Sequence, residues 1–159
     1  MIVSAAKPEV VLGDLLDQRV DAIVNAWNRN FIPWWLLLPQ GVSGAIKRRA
    51  GFAPFRELSR FGVLKPGDAV VTAAGRLPFK GIVHVAGLNA IWRSSEQIVA
   101  RCVREALRAA EGAGFVSLAF PLIGAGTGGL SSEKSKSVIL REIESVASPV
   151  STLVVEYRR

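Results

Sequence analysis

One cysteine, one histidine, one methionine and one tyrosine stand in a chain of 159 residues. A lone cysteine, Cys102, cannot close a disulfide within the chain; that suits a reducing cytoplasm, the expected location. With His84 as the only histidine, no cluster has the spacing of a metal site, and neither metal nor cofactor is expected. A Ser–His–Asp triad would have to use His84. It lies inside a strand-like apolar run with no nucleophile elbow nearby, so a satisfied core or edge histidine is the expected role. No apolar run reaches the roughly 20 residues of a transmembrane helix. The start, "MIVSAAKPEVVLGD", lacks the basic-then-apolar order of a signal peptide. A membrane partner is not expected.

What is present is a globular composition, 50% hydrophobic and 21% charged, long enough for one domain over residues 1–159. The net charge of +7 fits either a solvated basic surface or an anionic partner. A phosphate-bearing ligand, a nucleic acid and an acidic polymer all satisfy charge alone. The run "KRR" at 47–49 is too short for a nucleic-acid motif and reads as a solvated helix end. Oligomeric state is left open.

Strand and helix patterns alternate along the chain. "VSAAKPEVVLGDL" reads as two strand pieces and a turn, and Ala22 to Ala26 as a buried strand. "VSGAIKRRAG" reads as a helix stopped by Gly51, and "PFRELSRFGVL" as another ending near Gly62. "KPGDAVVTAAG" is a turn and a strand; a further strand spans Ile82 to Ala86. In "SSEQIVARCVREALRAAEGAG", Ser94 and Gln97 have capping-box spacing. Val99, Val103, Ala106 and Ala110 form the apolar stripe, and Cys102 joins it as core. A strand "FVSLAFPLIG", a helix "SSEKSKSVILREIESVA" and a strand "VSTLVVEY" complete the chain. This order predicts a three-layer α/β/α sandwich with helices on both sides of a largely parallel sheet. Ligands of such sheets bind at the carboxyl ends of the strands.

The strongest local signal lies there. In "FPLIGAGTGGLSSEKS" a strand runs into Gly124, Ala125, Gly126, Thr127, Gly128 and Gly129, then into a helix near Ser131. Glycines let backbone N–H groups approach an anion, and a helix start adds positive dipole. Gly124, Gly126 and Gly129 also fit G-x-G-x-x-G, so a Rossmann-type dinucleotide-binding protein is a remote alternative. Too little chain follows the loop for that fold. Asn25 and Asn28 end the strand "VDAIVNAWN" and offer amide groups at the ligand edge, or ordinary turn chemistry. Gly41, Val42, Ser43 and Gly44 form a second glycine loop before a helix. Two such loops suit two phosphates, or one diphosphate held from both sides.

Taken in order, these pieces resemble the macrodomain family of ADP-ribose-binding modules. "GDLL" resembles its Gly-Asp-Ile element, "VDAIVNAWN" its asparagine-bearing strand end and "GVSGAIKRRAG" its first glycine loop and helix. "LKPGDAVVTAAGRLPFKGIVHVAG" resembles its central strand pair and "PLIGAGTGG" its second phosphate loop. The resemblance implies that Asp14, with Leu15 beside it, binds adenine, that Asn28 binds the distal ribose, and that Tyr157 or Glu156 lies beside the adenine. It implies that Gly41 to Gly44 and Gly124 to Gly129 hold the diphosphate, and that the sandwich is built around a mixed, largely parallel sheet.

It also exposes departures. Family members that hydrolyse ADP-ribosyl bonds often carry Asp where Ser43 stands, so Asn28 and Ser43 are the catalytic candidates here, without that carboxylate. Gly128 stands where other members place an Asp, or an aromatic over the distal ribose. In some members the ligand's own diphosphate and a bound water are thought to do much of the work. The implied function is ADP-ribose binding with hydrolysis of ADP-ribosyl linkages, either de-ADP-ribosylation or ADP-ribose-1″-phosphate processing. The alternative is a non-catalytic reader. The implied partner is ADP-ribose or an ADP-ribosylated macromolecule. Between Asn28 and the first loop, "NRNFIPWWLLLPQG" is about five residues longer than the family spacing. Phe31, Trp34 and Trp35 in it are candidates for a lid over the ribose, for extra core or for an interface.

Overall fold

The computed structural model describes residues 7–27, 41–89, 91 and 93–157. Among these residues six strands form one sheet in the order β1-β6-β5-β2-β4-β3: β1 (Glu9–Gly13), β2 (Ala22–Trp27), β3 (Ala69–Thr72), β4 (Gly81–Ala86), β5 (Ser117–Phe120) and β6 (Ser151–Tyr157). All neighbouring pairs are parallel except β3 with β4. β3 and β4 are consecutive, and the short turn between them allows an antiparallel pair. The helices are α1 (Gly41–Ala50), α2 (Ala53–Ser59), α3 (Glu96–Gly112) and α4 (Ser132–Val146).

Strand residues alternate between two cores, because successive side chains leave opposite faces of a sheet. Val24, Val83, Val85, Leu118 and Val154 meet α3 and α4 through Val99, Val103, Ala106, Val138 and Ile139. Ile23, Ile82, Ala119 and Val155 meet Ile46, Phe55, Leu58 and Leu15 on the other side. Central strands covered on both faces must be apolar throughout, and β2 and β4 are almost wholly buried. The three-layer mixed-sheet architecture read from the sequence is therefore the one observed.

Several local expectations shift. The cap of α3 is Ser95, whose side chain accepts from the Ile98 N–H, not Ser94. Ser94 is diverted because its own N–H donates to the Gly128 carbonyl at 2.9 Å. α2 stops at Ser59, short of Gly62. Gly51 does end α1: at φ +85° its N–H closes on the Lys47 carbonyl. Lys47 is not part of a solvated helix end. It is only 5% exposed, with Nζ 5.0 Å from the Trp27 ring centroid and 4.9 Å from that of Phe55. Burial lowers its pKa, and the two ring faces offset part of that cost.

Candidate functional site

The five mutually parallel strands end on one edge of the sheet, at Gly13, Trp27, Ala86, Phe120 and Tyr157. Beyond β5 the glycine segment folds into a 3-10 turn, Gly126–Gly128. The first N–H groups of such a turn, those of Gly126 and Thr127, have no acceptor within it. Gly126 has φ +74°, and a Cβ there would meet open space. Gly128 is buried under the β4–α3 connection, where a Cβ would stand 3.0 Å from Ser94 Cβ and 3.3 Å from Leu88 Cδ2. No aromatic fits at that position. Gly129 and Leu130 then lead to Ser131, the cap of α4, where the sequence placed the helix start.

At the neighbouring strand ends, β1 and β6 are in register with Gly13 opposite Tyr157. Asp14, the next residue, caps the short turn Leu15–Asp17, its Oδ1 accepting from the Leu16 N–H at 2.9 Å. The second carboxylate oxygen is not used by that cap. Leu15 buries its side chain in the core, so only its backbone faces this edge. Tyr157 is 66% exposed beside Asp14. Glu156 is engaged instead, accepting from Lys136 Nζ at 3.3 Å.

Gly41, Val42, Ser43 and Gly44 are the first turn of α1 rather than a loop before it. The four leading N–H groups of a helix lack intrahelical acceptors, so the turn still offers donors to an anion. Ser43 Oγ donates to Asn25 Oδ1 at 2.8 Å and lies 3.1 Å from the Ala26 carbonyl. Asn25 is fully buried, and its amide is not presented to a ligand as its strand-end position suggested. Asn25 Nδ2 pairs with His84 Nδ1 at 3.0 Å, and His84 Nε2 pairs with Thr72 Oγ1 at 2.8 Å. His84 is thus the satisfied core histidine expected.

Burial pushes the His84 pKa from 6.5 down to about 3. The unfolded chain therefore takes up a proton below pH 6.5 that the folded chain refuses until about pH 3. Stability is present above that window and is lost as pH falls through it, at about 1.4 kcal/mol per pH unit. Melts of the wild type and His84→Gln from pH 7.5 down to roughly 5 should show a shallower slope in the variant, whatever its absolute stability. Parallel slopes would show that His84 protonates freely in the fold.

Asn28, Phe31, Trp34 and Trp35 lie outside the described residues. One residue near the site carried no sequence signal. Arg93, in the β4–α3 connection, brings Nη1 within 2.8 Å of where a Cβ on Gly129 would stand. Its connection is fastened by Asn89 Oδ1, which accepts from the N–H groups of Ile91 and Arg93. No spacing rule marks an arginine that reaches a loop more than thirty residues away through the fold alone. Among the described residues no group of His, Cys, Asp and Glu could hold a metal ion. None of the described helices is long and apolar enough to cross a membrane.

A family profile described as Macro domain matches residues 24–139. The chain is 35% identical over 147 residues to the O-acetyl-ADP-ribose deacetylase of Klebsiella pneumoniae (strain 342), spanning 87% of this chain and 80% of that protein. It is 41% identical over 141 residues to the macro domain-containing protein in non 5'region of Streptomyces griseus, spanning 84% and 77%. A mutant of the Oceanobacillus iheyensis macrodomain with ADPR matches the fold with a TM-score of 0.79 at 27% identity, over 93% of this chain and 83% of that one. For the Trypanosoma brucei macrodomain in complex with ADP-ribose the TM-score is 0.77 at 25% identity, over 92% and 63%.

Proposed function

The chain belongs to the macro domain family, and from that premise we propose that it is a single macrodomain that binds ADP-ribose and hydrolyses ADP-ribosyl linkages. The observation that carries this reading is the placement of Asp14, the first turn of α1 and the Gly126–Gly128 turn along one sheet edge. Asp14 accepts from the adenine amino group, with Tyr157 beside the ring. The N–H groups of Gly41 to Gly44 and of Gly126 and Thr127 receive the diphosphate from two sides. Asn28 binds the distal ribose. The relatives named O-acetyl-ADP-ribose deacetylase add an acetyl ester of the same ligand to the candidate substrates. The single buried thiol, Cys102, suits a cytoplasmic protein.

The chain's own residues orient rather than abstract protons. Ser43 replaces the carboxylate common in hydrolytic relatives, and its proton is committed inward to Asn25. Its lone pairs remain to orient a water. His84 stays neutral and fully buried. Proton abstraction then falls to the ligand's phosphate. One specific observation favours a reader instead: the first turn of α1 holds no acidic residue. Incubation with ADP-ribosylated protein and with O-acetyl-ADP-ribose, followed by product analysis, separates the two. Release of free ADP-ribose, lost in Asn28→Ala, supports the hydrolase. Tight binding with no product supports the reader.

The adenine assignment has its own check. Asp14→Asn keeps an oxygen to cap the turn but turns a second donor toward the adenine amino group. ADP-ribose affinity should fall about tenfold or more, on the scale of one charge-assisted hydrogen bond, while ribose 5-phosphate affinity is unchanged. Equal losses for both ligands in calorimetry would remove Asp14 from the adenine subsite.

A further inference from the structure

Each of the adjacent strands β2, β4 and β3 carries one polar side chain in an otherwise apolar run: Asn25, His84 and Thr72. All three are buried. They join end to end across the sheet, Thr72 Oγ1 to His84 Nε2 at 2.8 Å and His84 Nδ1 to Asn25 Nδ2 at 3.0 Å. Phe55 covers the His84 ring edge to face, with centroids 5.9 Å apart, and offers it no hydrogen bond. At the other end of the row Asn25 Oδ1 accepts from Ser43, the α1 residue at the candidate site. A buried polar row destabilises a fold unless every member is satisfied, and apolar side chains at these positions would continue the runs around them. Core packing alone does not call for the row, and the row ends at the site.

Its direction is set at the Thr72 end. The Ala73 carbonyl, 2.9 Å from Thr72 Oγ1, can only accept, so it takes the one hydroxyl hydrogen. Thr72 then accepts from His84 Nε2–H. Burial keeps the imidazole neutral, so Nδ1 carries no hydrogen and accepts from Asn25 Nδ2. That leaves Asn25 with Oδ1 toward Ser43, whose hydrogen is drawn inward and whose two lone pairs stay free for a water. With the row reversed, Asn25 would present Nδ2 instead. Ser43 would then accept from Asn25 and turn its hydrogen to the Ala26 carbonyl, 3.1 Å away, with one lone pair fewer for a water.

We propose that Thr72 is a positioning residue for Ser43, acting through His84 and Asn25 across three strands to keep the serine an acceptor toward the site, which rests on reading Ser43 as the group that orients the attacking water. Thr72→Val keeps the shape of the side chain, removes the acceptor and leaves no room for a water. His84 Nε2–H would then be buried without a partner, a rarer and more destabilising state than a bare Nε2 lone pair. The hydrogen therefore moves to Nδ1 and the Asn25 amide flips. His84 is the only histidine, so labelling tag-free protein with ¹⁵N-histidine gives the spectrum of a single ring. Wild type and Thr72→Ser should show the hydrogen on Nε2, and Thr72→Val should show it on Nδ1. On ADP-ribosylated protein, Thr72→Val should lower kcat about three- to fivefold, less than one whole hydrogen bond to the water, with KM within about twofold. Thr72→Ser should stay within about twofold of wild type. In a Ser43→Ala background Thr72→Val should leave kcat unchanged, because it acts only through the serine.

Thermal melts establish that each variant is folded. If Thr72→Val is not, Ser43→Asp reads the row from its other end: with Thr72 in place, a carboxylate at 43 should itself bring the hydrogen to Nδ1. Nε2–H retained in a folded Thr72→Val or Ser43→Asp would overturn the proposal, as would Nδ1–H in the wild type. So would an equal loss of kcat from Thr72→Val with and without Ser43, the mark of a merely structural residue. A wild type that releases no product would take down the hydrolase reading and this role with it. Product from the wild type at an undiminished kcat in Thr72→Val would sink the role of Thr72 alone.

Discussion

Gly126→Val should weaken ADP-ribose at least about a hundredfold while leaving the protein folded. The two halves of that expectation come from two measurements on the same residue. A Cβ at Gly126 meets nothing of the protein within 4 Å, so the new side chain does not disrupt packing. It projects instead into the space that the Gly126 and Thr127 N–H groups serve, and a branched side chain there keeps a diphosphate from reaching them. The backbone cost is separate. At φ +74° an L-residue carries about 1–2 kcal/mol of strain, which lowers Tm by several degrees in a chain of this size. Gly126→Ala carries the same strain with less bulk and should lose less affinity. Calorimetry with ADP-ribose on both variants, alongside melts, makes the comparison. Unchanged affinity in a folded Gly126→Val would remove this turn from the phosphate site. Global unfolding would show that the glycine serves the fold.

The same residue shows why part of this site was legible before any coordinates. A buried strand followed by closely spaced glycines is a local pattern, and its consequence, backbone exposed at a strand end, is also local. Asp14 belongs to the same class, since the turn it caps spans three residues after it. The strand and helix alternation pointed to the sheet edge that gathers the candidate residues for a similar reason. Asn25 defeated that reasoning because its partners, Ser43 and His84, come from two other elements, α1 and β4; its position on the strand suggested a ligand contact. Ser94 and Ser95 both fit a cap, and only the bond from Ser94 to Gly128 decides between them. Lys47 looked solvated until Trp27 and Phe55 closed over it. Arg93 became visible only when a connection distant in sequence met the glycine loop.

Ser43→Asp is expected to raise turnover of an ADP-ribosyl substrate about 10²- to 10⁴-fold, the scale of a positioned general base. The reason lies in the direction of the buried hydrogen bonds behind Ser43. Thr72 O–H donates to the Ala73 carbonyl at 2.9 Å, so its oxygen accepts from His84 Nε2–H. His84 Nδ1 is then an acceptor for Asn25 Nδ2–H, and Asn25 Oδ1 accepts from Ser43. Every bond in the chain points away from the site, which leaves serine as a donor inward and an acceptor outward. A carboxylate at this position would face Asn25 Oδ1 acceptor to acceptor. The chain can reverse as a unit: Asn25 flips its amide, His84 moves its proton to Nδ1, and Thr72 turns its hydroxyl to Nε2. The new carboxylate then accepts from Asn25, is held in place, and keeps its second oxygen for a water. Ser43→Ala, by contrast, should lower turnover about tenfold, the scale of one lost water-orienting hydrogen bond and not of a lost base. The gain should also add an acidic limb to the pH–rate profile, near the ordinary carboxylate range of about 4. A Ser43→Asp protein that binds ADP-ribose as the wild type does, yet turns over no faster, would mean that the residue after Val42 does not face the scissile bond. The reader assignment would stand in place of the hydrolase if neither protein released product.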